Sequence, residues 1–470
     1  MTTLIWLRQD LRLADNPALA AAAHGPVVLA FVLDEAGPWQ PGGASRWWLH
    51  HSLAALTAEV TRRGGRLVLL RGDALTEIPR LAAAIGAGAV HWNRRFEPGE
   101  RDREADMARR LAAAGIHGRD FAADLLFEPG MVRTKTGGPF QVFTPFWRAA
   151  LALPEPARPL PAPAALTAPQ NVPTGLELDA LGLMPRLEWW RGMAETWNPG
   201  EAGAAERLGV FLDRGLNDYD SERDRPDHDG TSLLSPHLAF GEISPRQIWY
   251  AVRTRPPSAG AECFLKEVGW REFSHQLIAT FPDLPTRPLQ PAFAAFPWVE
   301  DQAALAAWQR GLTGYPIVDA GMRQLWATGW MHNRVRMIVG SFLVKDLLLP
   351  WQAGERWFWD TLVDANAAAN AASWQWIAGC GADAAPYFRV FNPITQGEKF
   401  DPAGDYVRRW VPELARLPAQ AIHKPWLASP LELAGARVRL GVTYPEPMVD
   451  HARARLAALD AYARVKGSTS

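Results

Sequence analysis

The chain has 470 residues, with Lys+Arg 49 against Asp+Glu 50, a formal net charge of −1, and 48% hydrophobic residues. This balance excludes a disordered polypeptide and a protein that is basic throughout, but it leaves room for a local basic face. Two cysteines, Cys263 and Cys380, are too few for a disulfide framework and show no metal-type spacing, so a reducing compartment fits.

Arg8 and Asp10 stand within the first ten residues, which speaks against a secretory signal, and no apolar run approaches the ~20 residues of a membrane helix. Residues 1–130 alternate two patterns. Residues 4–7, 27–33, 67–70 and 89–92 are apolar runs of strand length. Between them, Leu49, Leu53, Leu56 and Val60 recur at helical spacing within 46–63. Pro79 falls inside the next helical pattern, where a helix is expected to start or kink. Strand and helix in alternation predict a parallel sheet covered on both faces. Residues 131–186 form a connector, with eight prolines between 151 and 186, at positions 154, 156, 159, 161, 163, 169, 173 and 185. That stretch is too apolar for a free linker and is expected to lie along its neighbours. From 187 to 470 helical windows dominate, as at 304–310, 319–328 and 334–349, and predict an all-α domain.

Nucleotide loops of the common kinds are missing. There is no Gly-Lys-Ser/Thr phosphate loop, and Gly86-Ala87-Gly88 leads into a strand, with His91 where a third glycine belongs. Three clusters carry more. The first is Asn333, Arg334, Arg336 and Met337 on a helix, followed by Asp364, Asn366 and Asn370, then Trp374 and Trp376. Buried charges need partners, so this set alone reads as a structural Arg–Asp bridge. Trp is 22 against Tyr 7 and Phe 19, and with that excess a large planar polar cofactor becomes the better reading. The second cluster is Thr231, Ser232, Leu233, Leu234 and Ser235, whose hydroxyls and amides suit a phosphate or an ordinary helix cap. The third is Glu267, Trp270, Arg271 and Glu272. Glu267 and Arg271 have the spacing of a helix-surface ion pair, and Trp270 shares the face of Glu267, so an acid and an indole together could grip a base.

In this order and spacing the clusters resemble the photolyase/cryptochrome family. The likeness begins at IWLRQDLR near the N-terminus, runs to about Trp426, and rests on TGYPIVDAGMRQL, TGWMHNRVRM, ASWQW and DAAPYFRVFNP. Within the family the chain looks like a cyclobutane pyrimidine dimer photolyase. SPHLAFGEIS and ASWQW lean towards the class III branch, near plant cryptochromes. The resemblance implies an N-terminal α/β antenna domain and a C-terminal helical domain holding FAD. By position, Tyr219, residues 231–235, Phe264, Arg271, Asn333, Arg336, Asp364, Asn366 and Asn370 line the flavin. Asn370 would face its N5, where an amide suits a reduced or half-reduced flavin and plant cryptochromes carry Asp. Asn366 stands where many relatives have Asp, and Phe264 where some have Trp.

The resemblance also implies that Glu267, Trp270, Asn333 and Met337 meet a flipped-out dimer in UV-damaged DNA. Trp270 would stack on the pyrimidines, and Glu267 would hydrogen-bond their carbonyls. Arg223, Arg334 and Gln396, with Lys399 and Arg408, would meet phosphates. Excited reduced flavin would give an electron to the dimer and take it back, and Trp298, Trp351 and Trp374 would relay electrons from the surface. Glu100 and Arg101 match the place where relatives hold methenyltetrahydrofolate as an antenna, with a deazaflavin or no pigment as alternatives. The alternatives for function are a blue-light receptor, disfavoured by Trp270, Asn370 and the short tail after about 450, and a DASH-type enzyme for single strands. A monomer in a bacterial cytoplasm is expected.

Overall fold

The computed structural model describes residues 1–384 and 388–467, with side chains to 465. Residues 385–387, within the motif DAAPYFRVFNP, lie outside the described residues. Five strands, β1 (Thr2–Leu7), β2 (Val27–Asp34), β3 (Leu67–Gly72), β4 (Ala87–Asn93) and β5 (His117–Phe121), make one parallel sheet in the order β3-β2-β1-β4-β5. The three central strands are buried almost without interruption, as expected where helices cover both faces. β5 lies on an edge, and its HGRDF sequence has no fully buried residue. It carries no apolar run, which is why only four strands were foreseen. Pro79 does not start its helix. That helix runs Ala74–Ala84 with Asp73 as its N-cap, and the proline sits within it.

After the connector the described residues are helical apart from one isolated bridge between Leu440 and Tyr444. The predicted helix over 334–349 divides. An α-helix covers Asn333–Ser341, and a single π turn, Phe342–Asp346, ends it. The longest helix, Ala259–Thr280, is the spine of this region. Its Glu272, fully buried, accepts hydrogen bonds from the amides of Leu126 (2.8 Å) and Phe127 (3.1 Å). Burial raises the Glu272 carboxyl to about 7. Further bonds lock the helices to the strand region. Glu201 caps the amides of Leu13 and Ala14 at 2.8 and 3.0 Å. Trp48 donates to Glu242 at 2.9 Å. Gly241 has φ +64, and a Cβ there would stand 2.1 Å from the Gln9 carbonyl oxygen, so only glycine permits this approach. No described helix is long and apolar enough to cross a membrane.

Candidate functional site

Four helical segments converge on the clusters read from the sequence. Arg336, on helix Asn333–Ser341, donates to Asp364 Oδ2 at 2.7 Å and to the Met331 carbonyl at 2.7 Å. Asp364 Oδ1 is buried and has no partner among the described residues. A lone acceptor in such a place is costly unless a donor arrives. Two residues on, Asn366 caps helix Ala367–Ala378, its Oδ1 accepting from the Ala369 amide at 3.0 Å. Asn and Asp cap equally well, so an amide at this position costs the helix nothing relative to an acid. One turn along the same helix, Asn370 is buried and donates to the Glu355 carbonyl at 3.0 Å and to its carboxylate at 3.2 Å. Desolvation raises the Glu355 carboxyl to about 7.

Residues 231–235 adopt a conformation suited to an anion. Leu233 takes the left-handed region at φ +54, and Leu234 follows in the right-handed helical region at φ −87, ψ −7. Such an alternation turns successive amides into one concavity. A left-handed leucine is a strained state of the kind that persists at functional sites. Tyr219, Phe264 and Phe211 form an aromatic wall, with Tyr219 and Phe264 5.3 Å apart and Phe211 and Phe264 4.5 Å apart. The unpartnered acceptor, the amide concavity and this wall together suit an elongated ligand with N–H donors, a pyrophosphate and a flat ring, which is the chemistry of FAD.

Helix Ala259–Thr280 carries a second set of residues, on the face that meets Phe143 and Arg223. Trp270, half-buried, lies on Phe143 with ring centres 4.0 Å apart and planes 12° apart. The Glu267–Arg271 pair does not form. Glu267 is bound by Arg223, while Arg271 donates to the Asp124 carbonyl at 2.7 Å and approaches Glu272 at 3.4 Å. Arg334 holds Asp224 with both arms of its guanidinium, at 3.2 and 2.6 Å, and sits 4.4 Å from the Phe400 ring centre. Lys399 approaches the same ring at 5.0 Å. Asn333 is exposed, and Met337 and Gln396 are half-buried. The Arg408 guanidinium is held by the carbonyls of Ala415 and Leu417 at 3.1 and 2.8 Å.

Trp351 and Trp374 belong to one core cluster, and Trp298 packs against its edge, 4.3 Å from Phe296. Glu100 opens helix Glu100–Ala113 just after β4, at the carboxyl end of the sheet where strand order reverses, a common ligand position. Its carboxylate is paired with Arg8 at 3.1 Å, while Arg101 is exposed.

Sequence reasoning missed Glu355, Asp224 and His332. Glu355 was legible, because it lies on the buried stripe of Trp351, Gly354 and Phe358 in helix Trp351–Thr361. His332 is buried, and its Nδ1 accepts from the Arg334 amide at 3.2 Å, which leaves the proton on Nε2. Burial lowers its pKa to about 4.

The sequence model for the FAD binding domain of DNA photolyase matches residues 264–464, and that for DNA photolyase matches 3–164. The deoxyribodipyrimidine photo-lyase of Agrobacterium fabrum is 50% identical, over 99% of this chain and 98% of that protein. Cryptochrome-1 of Arabidopsis thaliana is 41% identical, over 97% of this chain and 69% of that one. A bacterial class III photolyase from Agrobacterium tumefaciens superposes with a TM-score of 0.96 at 50% identity, covering 99% and 98% of the two chains. A Synechocystis cryptochrome reaches 0.90 at 30% identity, covering 98% and 99%. With both domain models matched in chain order and half the residues shared with a relative along almost the whole length, the chain belongs to the DNA photolyase family and is class III-like within it.

Proposed function

We propose that this chain repairs cyclobutane pyrimidine dimers in DNA with light, using FAD held by the helical region. The observation that carries the reading is Trp270, a stacking platform braced by Phe143 and set one turn from Glu267, which Arg223 holds in place. A flat indole with a fixed backing can receive an unstacked pyrimidine pair. A damaged pair costs less to extrude than an intact one. Glu267, when its carboxyl carries a proton, would donate to the pyrimidine carbonyls as negative charge develops on them. Asn333 and Met337 would face the same lesion, while Arg334 and Gln396 meet the flanking phosphates, with Arg223 beside them, and make binding salt-dependent.

For the cofactor, residues 231–235 would bind the pyrophosphate through their amides. Tyr219, Phe264 and Arg271 would line its length. Arg336 orients Asp364, whose free Oδ1 would accept a donor from the ring system. Asn366, bonded to the start of its own helix, and Asn370, held by Glu355 of the neighbouring helix, would fix the ring's edge. Bound there and reduced, FAD supplies photoexcited one-electron chemistry that the side chains cannot perform. Trp374, Trp351 and Trp298 would connect the site to the surface for reduction.

Three parts of the chain would share the work: 1–130 as an antenna-binding domain, 131–186 as a connector, and 187–470 as the domain for FAD and DNA. We infer a folate-type antenna, methenyltetrahydrofolate, near Glu100 and Arg101, with a deazaflavin or no pigment as alternatives. A near-ultraviolet band separate from the flavin bands of the purified protein tests it. The chain would act as a monomer in a bacterial cytoplasm, where its thiols stay reduced.

The deciding experiment is dimer reversal under blue light by the flavin-loaded protein, on duplex and single-stranded oligonucleotides. Loss of dimers from the duplex is expected. Dimers that persist while the flavin still photoreduces would favour a cryptochrome-type receptor. Repair of single strands alone would favour a DASH-type enzyme.

A further inference from the structure

Among the described residues, four arginines near Trp270 and Asp364 are paired. Arg223 is bound to Glu267, Arg225 to Asp227, Arg334 to Asp224 and Arg336 to Asp364. A phosphate that seeks Arg334 must therefore displace a carboxylate already seated on it in a two-armed arrangement, the strongest that an arginine makes. The Asp224 side chain is 30% exposed. Released beside a phosphate, it would stand as an unpaired anion facing another anion, a repulsive element of the kind that sets specificity.

The chain order of the partners matters. Arg223 and Asp224 are adjacent, yet they reach opposite ways. Arg223 crosses to Glu267 on helix Ala259–Thr280, and Asp224 crosses to Arg334 on helix Asn333–Ser341. The four charges share one neighbourhood. Glu267, Arg223 and Asp224 all act on the Tyr219 hydroxyl, and Arg223, Asp224 and Arg334 all act on His332.

We propose that Asp224 is a specificity-determining residue, the pivot of a partner exchange that makes Arg334 available to DNA phosphate only when a lesion has engaged Glu267. This rests on reading these residues as the DNA face. At rest the pairs are Glu267–Arg223 and Asp224–Arg334. A lesion whose polar groups bind Glu267 releases Arg223. Its guanidinium then takes the neighbouring Asp224, and Arg334 is freed for the backbone without leaving a bare carboxylate. Intact DNA offers Glu267 nothing, so Asp224 keeps Arg334 and one phosphate contact is withheld. The exchange couples lesion recognition to backbone grip through two ion pairs whose middle members, Arg223 and Asp224, are neighbours in the chain.

The test compares wild type, Asp224→Asn, Arg334→Gln and the double variant, all loaded with FAD, in equilibrium binding to a duplex with and without one dimer across a salt series. Asp224→Asn is expected to tighten binding to intact duplex about fivefold, the upper range for releasing a part-exposed ion pair. Its salt slope for intact duplex should steepen by about 0.9, the signature of one new phosphate contact. Both gains should vanish in the Arg334→Gln background. Arg334→Gln alone should weaken dimer binding more than intact-duplex binding, which loses only through the Asp224 carboxylate left unpaired. An unchanged affinity and slope for intact duplex in folded Asp224→Asn overturns the exchange, and so does a gain that persists without Arg334. If Arg334→Gln alters binding to neither duplex, the reading of the DNA face fails as well, and the two failures are thereby told apart.

Discussion

The side-chain amide of Asn370 is fixed by Glu355, donating both to its main-chain carbonyl at 3.0 Å and to its carboxylate at 3.2 Å. An acid raised to about 7 therefore decides how the amide is presented, since only the amide's oxygen remains free to accept. Between the ordinary Glu value and about 7 the folded protein binds more protons here than the unfolded chain does. The stability from this group is complete at acid pH and is lost as pH rises through about 7. Glu355→Gln keeps an acceptor for Asn370 and removes the titration. Relative to wild type, its melting temperature should rise by about 2 °C between pH 5 and pH 8, the scale on which ~1 kcal/mol moves a large domain. A difference that stays constant across that range refutes the assignment.

Arg336 and Asp364 are unequal partners in exposure, with side chains 24% and 3% accessible. Arg336→Met strands the buried carboxylate, an effect of about 3–5 kcal/mol in comparable pairs. It should both lower the melting temperature and reduce flavin absorbance per chain. Asp364→Asn retains a neutral hydrogen-bonding group, so it should fold and lose flavin more than stability. Full flavin content in Asp364→Asn would remove Asp364 from the cofactor site.

Trp270 is held by its stack on Phe143. Trp270→Ala should weaken dimer-DNA binding by about 10- to 100-fold, given ~1–3 kcal/mol for a base on an aromatic ring. Intact duplex should be affected far less. Trp270→Phe should recover part of the loss. Equal losses for both DNAs in a titration would mean that the ring does not meet the lesion.

The tryptophans Trp298 and Trp374 are proposed to carry electrons to the flavin rather than to the dimer. Trp298→Phe and Trp374→Phe should slow photoreduction of oxidised flavin by tenfold or more (order of magnitude, one step of a relay removed). Repair by protein whose flavin was reduced chemically beforehand should be spared. Parallel losses in both assays would show that the roles are not separate.

The order of elements was written locally. Apolar runs of four to seven residues marked β1 to β4, and long motifs such as TGWMHNRVRM marked the clusters, because burial and helical period act over a few residues. β5 escaped because an edge strand can be polar on both faces. The chemistry of the site was legible as residue types, and the family resemblance supplied one pairing, Arg336 with Asp364, but not the others. Helical spacing offered Glu267 to Arg271, and the fold gave Glu267 to Arg223 instead. Pairs such as Arg336 with Asp364, Glu267 with Arg223, and Arg334 with Asp224 span 28, 44 and 110 residues of chain. A charge takes the partner that is nearest in space and least hydrated, and only packing of the helices brings those partners together. Fold class thus came from short-range pattern and the residue inventory from that pattern together with the family resemblance, while the partners of Glu267 and Arg334, the burial, and the raised acid at Glu355 came from tertiary structure alone.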